Sequence, residues 1–94
     1  MARTIQLRVI TNEGQALADE AVSIQAPGEL GYLGILYNHA PLVTTLKPGK
    51  LTWRTPTGST RRFHINEGVL EVTKNQLTVL THAIAELSEE HQRT

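Results

Sequence analysis

The chain lacks cysteine, has no net charge and contains no long apolar run. Without cysteine it can form neither a disulfide framework nor a thiolate zinc site. Nine Lys and Arg residues balance nine Asp and Glu residues, so the formal net charge is zero. A domain that binds nucleic acid is usually clearly basic. We therefore expect no nucleic-acid partner.

Membrane insertion is also not expected, because no segment approaches the ~20 apolar residues needed to span a bilayer. If the protein works at a membrane, we expect a partner to hold it there. A chain of 94 residues is long enough for one domain with a modest core. Aromatic residues are few (Tyr32, Tyr37, Trp53 and Phe63), so Leu, Ile and Val must supply most of that core.

Alternation of apolar and polar residues predicts a series of short strands. In the first, Ile5, Leu7 and Val9 face one way while Gln6 and Arg8 face the other. The predicted strands cover residues 4–11, 15–20, 21–26, 33–36, 42–46, 50–55, 60–65, 69–73 and 76–81. This number of short strands, separated by turn signals, indicates an all-β sandwich or barrel within residues 1–82.

The last residues, 83–94, differ in composition and form a short tail in this reading. Ala83–Leu87 favour a helix, and Ser88, which precedes two glutamates, is suited to cap one. Only a turn or two can form there, and a helix that short is marginal unless it is packed. We therefore predict at most a short helical turn at the C-terminus.

The segment 28–49 is the part of the chain that follows no simple period, and it is the best candidate for a functional region. It contains glycines, two prolines, two tyrosines and one histidine between apolar residues. At its end, Lys47-Pro48-Gly49 fits a type II turn with Pro and Gly in the central positions. We expect the segment to fold back and bury its apolar side chains. These are Leu30, Leu33, Ile35, Leu36, Leu42, Val43 and Leu46.

No constellation typical of catalysis is present in the sequence. The four histidines show neither HxH nor HExxH spacing, and there is no GxSxG or GxxxxGK[ST] motif. We therefore predict no catalytic residue, no metal and no cofactor. His39 lies in a predicted loop, where it either holds the turn by a hydrogen bond or contacts another protein.

Three short motifs in the irregular segment occur together in a known family. Residues 34–36 read GIL, residues 39–42 read HAPL and residues 46–49 read LKPG. This combination closely resembles the epsilon subunit of F-type rotary ATP synthases, and the similarity extends over residues 4–80. The resemblance implies a sandwich of two five-stranded sheets.

The resemblance also implies a non-catalytic role in the rotor, or central stalk. Such a domain docks on the gamma subunit and on the polar loops of the membrane c-ring, and the alpha/beta catalytic head is a further partner that the resemblance implies. It helps to couple ion flow, of protons or sodium, to ATP synthesis. The implied location is peripheral, at the cytoplasmic face of an energy-coupling membrane, with the bacterial plasma membrane expected.

Individual residues can be matched to the contacts of the family. The residues that match its c-ring contact are Gly31, Tyr32 and Leu33. The residues that match its gamma-subunit contact are Thr11, His39 and Thr44. The chain departs from the family at Tyr32, where many members carry an acidic residue, and at Tyr37-Asn38, where Pro-Gly is frequent. An aromatic contact would have to replace the charge pair at Tyr32.

Longer family members continue into a C-terminal helical hairpin that can bind ATP. Residues 87–92 lack the Asp and Arg of that motif, so we do not expect ATP binding from them. The sequence ends at Thr94, which fits either a natural short form or a chain without its hairpin. Two alternatives remain from other classes of protein. One is a free-standing β-sandwich that binds a small ligand or carbohydrate, and the other is a metal-dependent enzyme that uses His39 and His64.

Overall fold

The computed structural model describes residues 3–87, and these form ten β-strands. The all-β prediction is confirmed. The strands are β1 (Ile5–Thr11), β2 (Gly14–Ala21), β3 (Ser23–Gly28), β4 (Gly31–Leu36), β5 (Leu42–Leu46), β6 (Gly49–Arg54), β7 (Thr60–Ile65), β8 (Gly68–Thr73), β9 (Gln76–Thr81) and β10 (Ile84–Glu86).

The strands form two five-stranded sheets that are joined at one corner. The first sheet has the order β10-β7-β6-β3-β4, and the second has the order β5-β8-β9-β1-β2. The corner is a single pair between Gly28 of β3 and Leu46 of β5, which makes the hydrogen-bonded path continuous. All pairs are antiparallel except β1 with β9, which is parallel. The sandwich architecture follows from two sheets that share one core.

That core is built from the inward-facing residues of both sheets. In β1, Ile5, Leu7 and Val9 are completely buried, as the alternation predicts. The buried hydrophobic residues form one cluster to which nine of the ten strands contribute, and Ile84 of β10 packs against it. Burying this apolar surface is the main term that favours folding.

A polar bridge connects the two sheets at the edge opposite the corner. The Trp53 indole N–H on β6 donates a hydrogen bond to the Asp19 carboxylate on β2, at 2.8 Å. The Arg61 guanidinium on β7 lies 3.3 Å from the same carboxylate and 3.4 Å from Glu86 on β10. It also stacks over the rings of Trp53 and Phe63, at 5.6 and 5.1 Å from their centroids. Asp19 therefore ties the edge strand of the second sheet to the first.

The bridge predicts a specific pH dependence of stability. Burial acts to raise the pKa of Asp19, but hydrogen bonds from Trp53, from the Glu20 N–H and from Arg61 outweigh it, and the pKa lies below its ordinary value. A depressed folded-state pKa stabilises the protein fully above the unfolded-state pKa of about 3.9, and this contribution is lost as the pH falls through the folded-state value.

We expect Asp19→Asn to lower the melting temperature at neutral pH and to flatten its decline between about pH 5 and pH 2. Thermal unfolding followed by circular dichroism across this range measures both effects. Glu13→Gln, which removes an exposed carboxylate in the β1–β2 turn, serves as the control. Parallel curves for the wild type and Asp19→Asn would show that the bridge does not govern acid stability.

The helix predicted for Ala83–Leu87 is wrong, because Ile84–Glu86 form strand β10. Without β10, strand β7 would be an edge strand with unpaired backbone groups. Ile84 of β10 pairs there with Ile65 of β7. The Leu87 N–H extends the contact by donating to the Arg62 carbonyl at 2.9 Å. A helix of one or two turns gains less than this ladder together with the packing of Ile84. The predicted cap at Ser88 lies outside the described residues.

The burial expected throughout the segment 28–49 is also wrong in part. Ile35 and Leu46 are buried, but Leu30, Leu36 and Val43 are 101%, 62% and 67% exposed. Leu36 and Val43 are exposed because the segment forms the ordinary strands β4 and β5, in which every second side chain points away from the core. Leu30 is exposed because it lies in the turn between β3 and β4.

The type II turn predicted at Lys47-Pro48-Gly49 is not formed, because Gly49 does not adopt the positive φ that such a turn requires. Gly49 begins β6, where a Cβ would lie 2.8 Å from the Cβ of Pro27 and 3.1 Å from the Tyr32 hydroxyl oxygen. Close packing therefore explains this glycine. Gly14 and Gly58, by contrast, have left-handed φ values of 105° and 95°, a conformation that glycine adopts readily.

Candidate protein-docking surfaces

The tip of the β3–β4 hairpin, residues 28–33, carries the residues predicted to contact a c-ring. Gly31 turns the chain with φ of 135°, and Tyr32 and Leu33 follow it at the start of β4. Tyr32 is 57% exposed and Leu30 is completely exposed, whereas Leu33 is half-buried. The structure therefore brings these residues together at one protruding end of the molecule.

The hairpin tip is held in place by the β5–β6 turn. The Lys50 N–H donates a hydrogen bond to the Tyr32 hydroxyl oxygen at 3.0 Å. The Lys47 N–H donates to the Pro27 carbonyl at 2.8 Å. Because Gly49 has no side chain, the tyrosine hydroxyl can approach this turn closely. The exposed ring of Tyr32 is consequently fixed at both its backbone and its hydroxyl end.

A groove of about 540 Å³ runs over one end of the outer face of the second sheet, and we call it the sheet-two groove. Its floor is apolar, because Ile10, Leu80 and Val69 lie side by side on β1, β9 and β8. Leu80 is 47% exposed and Val69 is 37% exposed. This is an unbroken apolar row across three strands, on a face where alternation would place polar residues.

The groove adjoins the hairpin tip. Glu29 at the tip lines the groove together with Thr45, and the Thr45 hydroxyl donates to the Glu29 carboxylate at 3.0 Å. The other end of the groove is lined by Thr11 and His82. The hairpin tip and the apolar groove floor therefore lie next to each other at one end of the sandwich, connected through the polar residues Glu29 and Thr45.

The loop that contains His39 is fixed by a pair of asparagines. The Asn38 backbone N–H donates to the Asn75 side-chain oxygen at 2.6 Å, and the Asn75 side-chain amide donates to the Asn38 side-chain oxygen at 3.1 Å. Both residues have positive φ, of 67° and 61°, a conformation that asparagine tolerates better than most residues. The His39 ring Nδ1–H donates to the Ala40 carbonyl at 2.7 Å. The histidine thus makes the local hydrogen bond expected of a residue that holds a turn.

The three residues predicted to contact gamma do not form one cluster. Thr11 lies at the groove, at the C-terminal end of β1. His39 lies near the other end, since its loop is bonded to Asn75, whose carbonyl accepts a hydrogen bond from the Gln6 N–H. Gln6 and Thr11 are five residues apart on one strand, or about 17 Å. Thr44 lies between them on β5 and is half-buried.

Sequence reasoning missed the groove, although a signal for it was present. In strands β1, β8 and β9, the chain neighbours of Ile10, Val69 and Leu80 point into the core, so these three residues point outward although they are apolar. Apolar residues in the outward phase of several strands indicate an exposed apolar face. The pairing that places them side by side, however, depends on the parallel β1–β9 contact.

Within residues 3–87 there is no group of three or more His, Cys, Asp or Glu side chains that could hold a metal ion. His39 lies in the β4–β5 loop and His64 lies on β7, facing solvent. The same part of the chain contains no helix long and apolar enough to cross a membrane.

The fold and its surfaces define a class of protein, namely a small β-sandwich domain with an exposed groove that has an apolar floor. The family model described as the ATP synthase, Delta/Epsilon chain, beta-sandwich domain matches residues 4–86. The chain belongs to this family, which confirms the resemblance seen in its motifs. The match includes β10, which sequence reasoning did not assign as a strand.

Curated relatives agree with this assignment. The chain is 46% identical over 77 residues to the ATP synthase epsilon chain of Stenotrophomonas maltophilia (strain K279a), covering 82% of this chain and 55% of the relative. It is 47% identical over 81 residues to the ATP synthase epsilon chain of Acidithiobacillus ferridurans, covering 85% and 56%. The chain spans about half the length of these relatives.

Solved structures share the fold. A chain in the Euglena gracilis mitochondrial ATP synthase, in a structure of OSCP, F1 and c-ring, superimposes with a TM-score of 0.85 at 20% identity, covering 92% of this chain and 55% of that chain. A chain from the central stalk and c-ring of the Tetrahymena thermophila mitochondrial ATP synthase has a TM-score of 0.70 at 18% identity, covering 85% and 64%.

Proposed function

We propose that the chain is a non-catalytic subunit of the central stalk of an F-type ATP synthase. In this role it docks on the gamma subunit and on the c-ring and turns with them, which helps to couple ion flow to ATP synthesis. The proposal is supported by family membership and by relatives named as ATP synthase epsilon chains. It places the chain peripherally at the cytoplasmic face of an energy-coupling membrane, within reach of the alpha/beta head.

The observation that carries the proposal is the apolar floor of the sheet-two groove. A domain of this size has no stability to gain from exposing Val69 and Leu80 on a sheet surface, and contiguous exposed apolar residues typically mark interaction sites. Thr11 borders this floor, so a partner seated in the groove would also cover a residue that matches the gamma contact of the family. We therefore propose that gamma binds the groove and Thr11. His39 and Thr44, which the resemblance also matches to the gamma contact, do not line the groove.

The position of the hairpin tip supports the second docking site. Gly31, Tyr32 and Leu33 lie beside the groove, at the same end of the sandwich. A gamma subunit seated in the groove would leave the exposed side of Tyr32 for the c-ring. A rigid sandwich that holds both partners would transmit rotation between them without any chemical step of its own.

We expect Leu80→Asp to weaken binding to gamma by a factor of at least about 30. Truncating an apolar side chain at the centre of an interface, or burying a charge there, typically costs about 2 kcal/mol or more of binding free energy. The measurement is co-expression with gamma from the same source, followed by size-exclusion chromatography and titration calorimetry. Stability should change little, since Leu80 is exposed in the isolated chain.

The matched control for this experiment is Leu36→Asp. Leu36 is 62% exposed and lies on β4 in the first sheet, away from the groove. If a folded Leu80→Asp variant bound gamma with the affinity of the wild type, the groove would not be part of the gamma interface. Failure of the wild-type chain to co-elute with gamma at micromolar concentration would overturn the proposed function itself.

A further inference from the structure

We infer that the hairpin tip meets the c-ring through apolar burial and stacking on the Tyr32 ring, not through an ion pair. This inference rests on the proposed function and specifies the chemistry of its second docking site. The occupant is a polar loop of the c-ring that presents a neutral apolar or planar side chain to Leu30 and Tyr32. The contact should therefore tolerate salt.

The exposure of the tip is the first argument. Leu30 occupies the β3–β4 turn, a position where small or polar residues are the rule, and its side chain is completely exposed. Tyr32, two residues further, is 57% exposed. Together they present an apolar side chain and an aromatic ring at the most protruding part of the hairpin. Aromatic and large apolar anchors of this kind carry most of the binding energy in protein interfaces.

The second argument is that this exposed surface is already ordered. The Tyr32 hydroxyl accepts the Lys50 N–H, and Gly49 leaves the space in which it does so. The Pro27 carbonyl accepts the Lys47 N–H of the β5–β6 turn. An exposed side chain that is fixed before binding loses little conformational entropy on binding. A ring held at both ends is consequently suited to be a docking platform.

The third argument concerns charge. Glu29 is the one acidic residue of the tip, and its carboxylate accepts a hydrogen bond from Thr45 on the groove side. Lys47 in the β5–β6 turn and Lys50 on β6 are also exposed. The one carboxylate of the tip is thus engaged by Thr45 at the groove and is not contributed by Leu30 or Tyr32. A basic side chain of a partner could not form an ion pair with Tyr32, because this position carries an aromatic ring and no negative charge.

The test uses the complex of the chain with gamma and the c-ring, purified in detergent from the same source. Affinity of the chain–gamma complex for the c-ring is measured by biolayer interferometry between about 0.05 and 0.5 M salt, a range over which ion pairs at a surface are strongly screened. We expect less than a two-fold change across this range. We expect Leu30→Ser and Tyr32→Glu each to weaken binding by about ten-fold or more.

Two further variants separate the contributions. Tyr32→Phe keeps the ring but removes the hydroxyl that accepts the Lys50 N–H, so it should weaken binding less than Tyr32→Glu does. Leu36→Ser removes another exposed leucine, 62% against 101% for Leu30, at the far end of the hairpin and should bind as the wild type does. Circular dichroism and co-elution with gamma show that each variant is folded and assembled.

A steep loss of affinity with salt would overturn the inference, as would Tyr32→Glu binding as well as or better than the wild type. Either result, with gamma binding intact, leaves the proposed function standing and identifies an ionic contact. If the wild-type chain bound neither gamma nor the c-ring, the proposed function and the inference would both fail.

Discussion

Trp53→Ala is expected to cost about 3–5 kcal/mol of the free energy of unfolding, the range typical of removing a buried tryptophan. Trp53 is 1% exposed, and its ring stacks on Phe63 with centroids 5.0 Å apart and planes at 2°. The substitution leaves a large cavity and also removes one of the two donors that lie 2.8 Å from the Asp19 carboxylate. A domain of this size has about 5–15 kcal/mol of stability in total, so the variant should be close to unfolded at 37 °C.

Urea denaturation followed by far-UV circular dichroism measures this loss. Trp53→Phe separates the two contributions, because it retains an aromatic ring in the core and removes the indole N–H. We expect Trp53→Phe to cost about 1.5–3 kcal/mol, the range for one hydrogen bond to a charged group, because the half-buried Asp19 carboxylate keeps the Glu20 N–H and Arg61 as donors. A cost for Trp53→Ala no larger than that for Trp53→Phe would show that the hydrogen bond, and not ring packing, dominates.

Gly68→Ala is expected to destabilise the protein by about 3 kcal/mol or more, at the upper end of the range for overpacking. Gly68 begins β8 and pairs with both Leu46 and Thr81. A Cβ at this position would lie 2.0 Å from the Leu80 carbonyl oxygen, which belongs to the backbone of the neighbouring strand. A backbone atom cannot rotate away, so the β8–β9 ladder must open at this end.

Gly34→Ala provides the matched control for Gly68→Ala. Gly34 lies in β4, has no positive φ, and would have no atom within 4 Å of an added Cβ. Replacing a glycine at an unstrained strand position should be neutral or stabilise by about 0.4–1 kcal/mol. Equal stability of the two alanine variants, measured by urea denaturation, would contradict the steric account of Gly68.

The displacement of strand β8 that Gly68→Ala causes should also alter the docking surfaces. Gly68, Val69 and Leu80 all line the sheet-two groove, and Leu46, the partner of Gly68 on β5, forms the corner with Gly28 at the base of the hairpin. A strand that shifts here would displace both the groove floor and the tip. The fold and the candidate docking region are thus joined by the same few backbone contacts.

The amino-acid sequence by itself determined nine of the ten strands of residues 3–87, most of the turns and most of the core, and its short motifs identified the family. Alternation is local information, so the burial of Ile5, Leu7 and Val9 can be predicted from their spacing. The conformation of a tight turn is local in the same way, and the positive φ of Gly14 and Gly58 requires residues such as glycine at these positions.

Only the tertiary structure decided the features that depend on residues far apart in the chain. Strand β10 forms because β7 offers it an edge, and Gly49 is required because Pro27 and the Tyr32 hydroxyl approach it. The groove floor exists because β1 runs parallel to β9 and aligns Ile10 with Leu80. Pairing and close approach of distant segments have no period in the sequence, which is why the candidate docking surfaces could not be predicted from the pattern alone.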